Sequence, residues 1–232
     1  IPKFDEGCVP VGIPNCAPEF MEDDGLCHPS MSKCPDGTFA VPQEGCVPID
    51  GAGGCGTGTW GDLADAAGTV YVDPEYLDGD GDGTKAKPVT TLAGALALVQ
   101  EGGRLALAAG VYDEPLEITK GIELVGRCPS MVRVQGTTMA DGKSVVVWVN
   151  GAEGATLRGI EIGGDGVGLR VDDAPGLEVD HVHVSGATRI GVRAAGAGTD
   201  VVTNHSWIDG TLPDADGTLG TGKDGRFLQG FH

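Results

Sequence analysis

Three consecutive segments, 145–165, 167–187 and 190–210, each hold two short apolar runs separated by Gly, Asp or Asn. Laid over one another, their second runs place Leu157, Ile160 and Ile162 above Val179, Val182 and Val184, and those above Thr203, Ser206 and Ile208. The offset between copies is nearly constant. Such a repeat constrains the chain to a solenoid, because one unit cannot bury its apolar face until a neighbour stacks on it. The segments lack helical periodicity and their turns are rich in Gly and Asp, so each reads as one coil of a parallel β-helix. The strong preference for right-handed crossovers between parallel strands makes that helix right-handed. Leu157, Ile160, Ile162, Val179, Val182 and Val184 are then expected to point inward, and the residues between them to form outward columns with one rung per coil.

Composition agrees with this reading. Only 5% of the 232 residues are aromatic and 41 are glycine, poor material for a compact globular core but suited to tight turns and close coil-to-coil approach. The net charge of −19 argues against nucleic acid and anionic membranes as partners, since both need a basic surface. No apolar run is long enough to suggest a membrane span, which takes roughly 18 residues or more. The chain starts at Ile1 without an initiator Met and stops at His232 within what reads as a further coil, so it is read as a piece of a longer protein.

All the cysteines except Cys128 lie between Cys8 and Cys55, in a segment with almost no periodicity. A second repeat is visible here: Cys16-Ala-Pro-Glu-Phe leads to Gly25-Leu-Cys27-His-Pro29, and Cys34-Pro-Asp-Gly-Thr-Phe leads to Gly45-Cys46-Val-Pro48. Each copy is a small loop closed by its own pair, which predicts Cys16–Cys27 and Cys34–Cys46 and leaves Cys8 without a partner. Zinc is the rival reading, but the short paired C-x₂₋₄-C spacings of structural zinc sites do not occur. Cys-dense, Pro-rich, coreless sequence favours disulfides and hence an oxidising compartment. Elimination pairs Cys55 with Cys128, a bond expected to staple the head to the early coils. The Gly-rich stretch 51–56 matches G-x-G-x-x-G in letters only, since no strand precedes it.

After the head, Thr69-Val-Tyr-Val-Asp73 reads as a strand, and Leu92, Ala95, Leu96 and Val99 form a helical stripe with a Thr before it and Gly102 after it. A helix across the open end of a β-helix would cover the first coil and block end-to-end aggregation. Together with Gly83-Thr-Lys-Ala-Lys-Pro88, Leu105-Ala-Leu-Ala-Ala-Gly-Val-Tyr112 and Gly121-Ile-Glu-Leu-Val-Gly126, this stretch resembles the N-terminal coils of right-handed parallel β-helix proteins of the pectate-lyase-like superfamily. With the Cys-rich head, Cys55-Gly-Thr-Gly-Thr-Trp-Gly61 and Gly126-Arg-Cys-Pro129, the chain is more closely similar to secreted or lipid-anchored β-helix proteins of myxobacteria and their relatives. The resemblance implies fold and export. It implies no single activity, because this superfold hosts many.

The expected organisation is a Cys-rich, disulfide-stapled head over 1–55, an entry strand, acidic loop and capping helix over 56–104, and β-helix coils over 105–232. The expected outward columns are Arg158, Asp180, Asn204; then Gly159, His181, His205; then Glu161, His183, Trp207. With coils about 4.8 Å apart, His181 can stack on His205 and Arg158 can pair with Asp180. A further column of Trp148, Arg170 and Arg193 suits cation–π packing or a sugar face. His181, His183 and His205 are candidates for a glycan or metal site, with Asp180 or Glu161 as the further ligand zinc would need. The competing reading is an ordinary polar ladder.

Asp172-Asp173 reads as a solvated turn. Asp78, Asp80 and Asp82 have the alternating spacing of calcium loops, although Val89 stands where an EF-hand would place its bidentate Glu. Calcium is the cofactor this spacing points to, against a plain acidic turn, with a weaker echo at 214–217. No complete catalytic set is visible. The expected role is therefore an extracellular or outer-surface module, non-catalytic, for adhesion, glycan binding or surface assembly, with polysaccharide or other surface proteins as partners. The alternatives are a polysaccharide lyase or hydrolase whose catalytic set lies partly outside these residues, and a structural subunit of a surface assembly.

Overall fold

The computed structural model describes residues 16–211 apart from 24, 137, 138, 140, 141 and 143, together with the backbone of 2–3 and 7–8. The partner state of Cys8 and the acidic echo at 214–217 lie outside the described residues. The chain divides into two compact units, Ile1–Ala52 and a second that begins at Gly53.

In the first unit β1 (Pro2–Lys3) pairs antiparallel with β2 (Gly7–Cys8), and β3 (Thr38–Val41) with β4 (Gly45–Pro48). Among its described residues the buried apolar side chains are Ala17, Phe20 and Phe39. Disulfides Cys16–Cys27 and Cys34–Cys46, separated by 11 and 12 residues, take the place of a larger core. Each loop closure of this size contributes about 3 kcal/mol in the chain-entropy model.

The second unit is the parallel β-helix. Its strands are β5 (Thr69–Val72), β6 (Arg104–Leu107), β7 (Gly110–Asp113), β8 (Leu116–Ile118), β9 (Glu123–Gly126), β10 (Val132–Gln135), β11 (Val145–Asn150), β12 (Thr156–Gly163), β13 (Val167–Asp172), β14 (Leu177–Ser185), β15 (Ile190–Ala195), β16 (Val201–Asn204) and β17 (Trp207–Asp209). One sheet runs β16-β14-β12-β9-β6-β5, with β10, β7 and β17 attached beyond a bend, and a second runs β15-β13-β11-β8. All these pairings are parallel, with Leu157 beside Val179, Ile160 beside Val182 and Ile162 beside Val184. All six side chains are buried, as the repeat offset requires. The second sheet stacks Leu116, Val147, Leu169 and Val192 on successive rungs, then Ile118, Val149, Val171 and Ala194.

The bend in the first sheet is a column of left-handed residues. Gly159 has φ +66°, and the residues in the same position of the next two coils, His181 and His205, have φ +50° and +45°. The preceding coil turns this corner through residues 127–131 instead, an excursion that carries Cys128. Its disulfide to Cys55 lies wholly within the second unit, so the bond does not staple the head; it ties the Gly-rich entry segment to the coil. Arg127 reinforces the tie by donating to the carbonyls of Cys55 and Gly56, both at 3.1 Å. Closing a loop of 73 residues contributes about 4 kcal/mol on the same entropic model. At this corner the chains approach so closely that a Cβ on Gly126 would lie 2.3 Å from the carbonyl oxygen of Gly159.

Helix α1 (Leu92–Leu98) packs on β5 and β8 and buries Leu92 and Ala95. Thr91 caps its start by accepting from the Gly94 amide at 3.1 Å, and the Glu114 carboxylate accepts from the Leu92 and Ala93 amides at 2.6 and 3.1 Å. Lys120 donates to the Leu96 and Val99 carbonyls at 3.1 and 2.7 Å at the other end. Both charges complement the helix dipole. Glu114 and Lys120 come from the coil beneath, so they fix the position of the cap as well as its stability.

Among the described residues the solenoid interior is aliphatic except for Tyr112, whose hydroxyl donates to the Ala108 carbonyl at 2.9 Å, with the Val72 carbonyl at 3.2 Å. Burial, followed by the nearby Asp73 charge, raises its ionisation far above the ordinary tyrosine range. The unfolded chain ionises Tyr112 near pH 10 while the folded chain holds it neutral, so stability falls as pH rises through that range. A single such group contributes a slope of up to about 1.4 kcal/mol per pH unit. Urea unfolding followed from pH 9 to 11 should show this decline, and Tyr112→Phe should flatten it.

Candidate functional site

The rung registry that buries the aliphatic residues also fixes the outward columns. Arg158 lies beside Asp180 and Asp180 beside Asn204, while Glu161 lies beside His183 and His183 beside Trp207. Side-chain partnering departs from simple neighbour pairing. Arg158 does not pair with Asp180; it reaches diagonally to Glu123 at 2.8 Å, a carboxylate that also accepts from Arg104. Asp180 is instead met by imidazoles, with its Oδ1 2.9 Å from His181 Nδ1 and 3.4 Å from His205 Nδ1. The two rings stack at 4.8 Å between centroids with a 25° tilt.

His183, two residues from His181, belongs to a different network across the bend. Its Nε2 lies 2.9 Å from Asp209 Oδ1, its Nδ1 lies 3.8 Å from Glu161 Oε1, and its ring stacks on Trp207 at 4.2 Å. Glu161 is also held by Arg133 and by the Ser185 hydroxyl, the latter at 2.5 Å. Arg133 in turn donates to Gln135 at 3.0 Å and Ser185 at 3.3 Å. The histidines that share one face in sequence are thus divided between an Asp180 group and a Glu161 group. The positive φ at His181 separates them: the chain turns there, so His181 follows its own column toward Asp180 and His183 leads into the next stretch of strand. Arg133, Ser185, Asp209 and Glu123 were not legible from the repeat. Arg133 and Glu123 come from coils whose spacing departs from that of the three aligned segments, and Ser185 and Asp209 are single polar residues at strand ends.

Trp148, Arg170 and Arg193 do form a column, on the second sheet and separate from the histidines. The Arg170 guanidinium lies 4.6 Å from the centre of the Trp148 ring. Asp172 is the hub: it accepts from Trp148 Nε1 at 2.9 Å, Arg170 Nε at 2.5 Å and Arg193 at 3.1 Å. It is therefore not the solvated turn residue that its neighbours Asp173, Ala174 and Pro175 suggest, and its side chain is only 15% exposed.

Asp78, Asp80 and Asp82 are all exposed. Asp82 turns back to accept from the Thr84 amide at 3.0 Å and hydroxyl at 2.7 Å, and this pairing holds its carboxyl below the usual range. The three carboxylates do not form a group with ligand atoms within 4.8 Å of one another, whereas Asp180, His181 and His205 do. Another acidic residue, Asp65, accepts from Lys85 at 2.6 Å and Tyr71 at 2.9 Å, and both lower its pKa.

No family model matches the chain, and no curated protein matches it. Solved structures do. A pectin methylesterase from Erwinia chrysanthemi superposes with a TM-score of 0.52 at 16% identity, covering 63% of this chain and 50% of that one. A pectin methylesterase mutant in complex with a hexasaccharide gives the same values. A rhamnogalacturonan lyase superposes with a TM-score of 0.33 at 16% identity, over 62% of this chain and 50% of that one. The chain spans about half the length of these neighbours, and at such identity the likeness is one of fold.

Because three donors converge on Asp172, Asp172→Ala should destabilise the solenoid by about 1–3 kcal/mol, the cost of leaving partly buried donors without an acceptor. Glu178→Ala, at an exposed outward position, should change stability by less than about 0.5 kcal/mol. Urea midpoints of the two variants, compared at pH 7, check the difference.

Proposed function

We propose that this β-helix is an extracellular polysaccharide-binding module whose contact surface is the outward face of β10, β12, β14 and β17. The observation that carries this reading is the column Arg133, Glu161, His183 and Trp207, one residue per coil, with Asp209 two residues along from Trp207 and 2.9 Å from His183. Such a row spans about 14 Å at the spacing of parallel strands and is held in place before any ligand arrives, which lowers the ordering cost of binding. Guanidinium, carboxylate and imidazole edges at regular intervals match the hydroxyls of a linear glycan, which offer donors and acceptors at regular intervals too. The net charge of −19 opposes polyanionic chains, so the ligand class we propose is neutral polysaccharide. Fold likeness to pectin methylesterase, including one solved with a hexasaccharide, supports a glycan partner. Three disulfides support an oxidising, extracellular or outer-surface location, in keeping with the secreted or lipid-anchored proteins that the sequence resembles. Among the described residues no helix is long and apolar enough to cross a membrane.

A second reading rests on the same residues. Ser185 donates to Glu161 at 2.5 Å and His183 pairs with Asp209 at 2.9 Å, the two pairs standing 3.8 Å apart at Glu161 Oε1 and His183 Nδ1. Clustered carboxylate and imidazole groups are what a polysaccharide-modifying enzyme uses for general acid–base chemistry. Release of reducing ends or unsaturated uronates during incubation with a panel of glycans would favour that reading over pure binding. The acidic loop carries a separate calcium proposal. Asp78 and Asp80 would have to swing toward Asp82 around the ion. A rise in Tm in millimolar Ca²⁺ that vanishes in Asp80→Ala is the expected outcome, and melting curves with and without the ion check it.

Affinity electrophoresis against neutral and acidic polysaccharides tests the main proposal. Retardation is expected in neutral gels and not in polygalacturonate. Arg133→Ala and His183→Ala should each weaken binding about tenfold, the equivalent of one lost hydrogen bond of about 1.4 kcal/mol. Equal mobility of wild type and both variants in every gel would rule the row out as the contact surface.

A further inference from the structure

We propose that Asp180, His181 and His205 form a binding site for one zinc-class divalent cation. Their ligand atoms all lie within 4.8 Å of one another, and Asp180 Oδ1 stands 2.9 Å from His181 Nδ1 and 3.4 Å from His205 Nδ1. In a tetrahedral zinc site with bonds of about 2.0–2.1 Å, neighbouring ligand atoms are separated by about 3.3–3.4 Å. The oxygen–nitrogen distances here are close to that edge length, so a cation could be taken up with little movement of the side chains. Two imidazole nitrogens and one carboxylate oxygen suit zinc, nickel or copper, whereas calcium calls for six to eight oxygens.

The backbone supplies an independent argument. His181 and His205 both occupy the left-handed region, at φ +50° and +45°, in the column where the coil before them uses Gly159 at φ +66°. Glycine adopts this conformation freely and most other residues do so at a cost, and non-glycine residues held there cluster at functional sites. The two successive coils that replace glycine at this corner both carry imidazole, with both Nδ1 atoms turned to the same carboxylate oxygen. All three side chains are part-exposed, so the fourth coordination position opens to solvent, as in sites that bind an exchangeable ligand. His183 is not part of this set, since its Nε2 lies 2.9 Å from Asp209 and its ring is stacked on Trp207. The inference stands independently of the glycan reading.

The test uses the full chain without a histidine tag. Wild type, the His181→Gly/His205→Gly double variant and His183→Gln are each loaded with Zn²⁺, passed through gel filtration, and assayed for bound metal and for Tm with and without the ion. Glycine suits the left-handed corner, so the double variant keeps the fold while losing both imidazoles; its metal-free melting curve confirms this. We expect one zinc per chain and a raised Tm in wild type and His183→Gln, and loss of both in the double variant. Cobalt substituted for zinc should give the intense visible bands of a four-coordinate ion in wild type and His183→Gln and not in the double variant. Absence of zinc from wild type, or undiminished zinc in the folded double variant, would overturn the proposal.

Discussion

The structure depends on parallel registry between successive coils. Each inward aliphatic residue sits on its counterpart one coil away, so Leu157, Val179 and their neighbours bury one another, although no single coil has enough apolar surface to fold alone. The registry is demanding because backbone meets backbone at the corners. Gly126 and Gly159 approach too closely for a side chain, and the neighbouring corner residues take left-handed conformations. A solenoid also has open ends, and here α1 covers one of them, positioned by Glu114 at its start and Lys120 at its finish. Cap and coil are thus linked by charges that belong to the coil.

The same registry that makes the core writes the outer surface. Side chains one coil apart are held at strand spacing, so charges and rings on the outside meet in predictable columns, and two stacks of aromatic rings arise directly from it. What the columns do not prescribe is which charge satisfies which. Glu123 collects Arg104 and Arg158, Glu161 collects Arg133, Ser185 and His183, and Asp172 collects Trp148, Arg170 and Arg193. Each of these three carboxylates is a local hub. This arrangement also pre-orders the face on which the glycan proposal rests, and leaves Asp180 to the two corner histidines.

The sequence by itself determined the β-helix, the inward set, the adjacency of the outward columns, the capping helix and the three disulfide pairings. The physical reason for most of these is period. A constant offset places residues side by side whatever their chemistry, and the internal repeat of the head places each cysteine pair in one loop. Tertiary structure alone decided the partners. The reach of Arg158 to Glu123 instead of Asp180 depends on a diagonal between coils of unequal length. The burial of Asp172 depends on three donors contributed by its own and neighbouring rungs. The separation of His183 from His181 and His205 depends on a left-handed φ at a histidine, a conformation glycine announces in sequence and histidine does not. Period is a property of the chain read in one dimension, whereas hydrogen bonds and ion pairs depend on distance and direction in three.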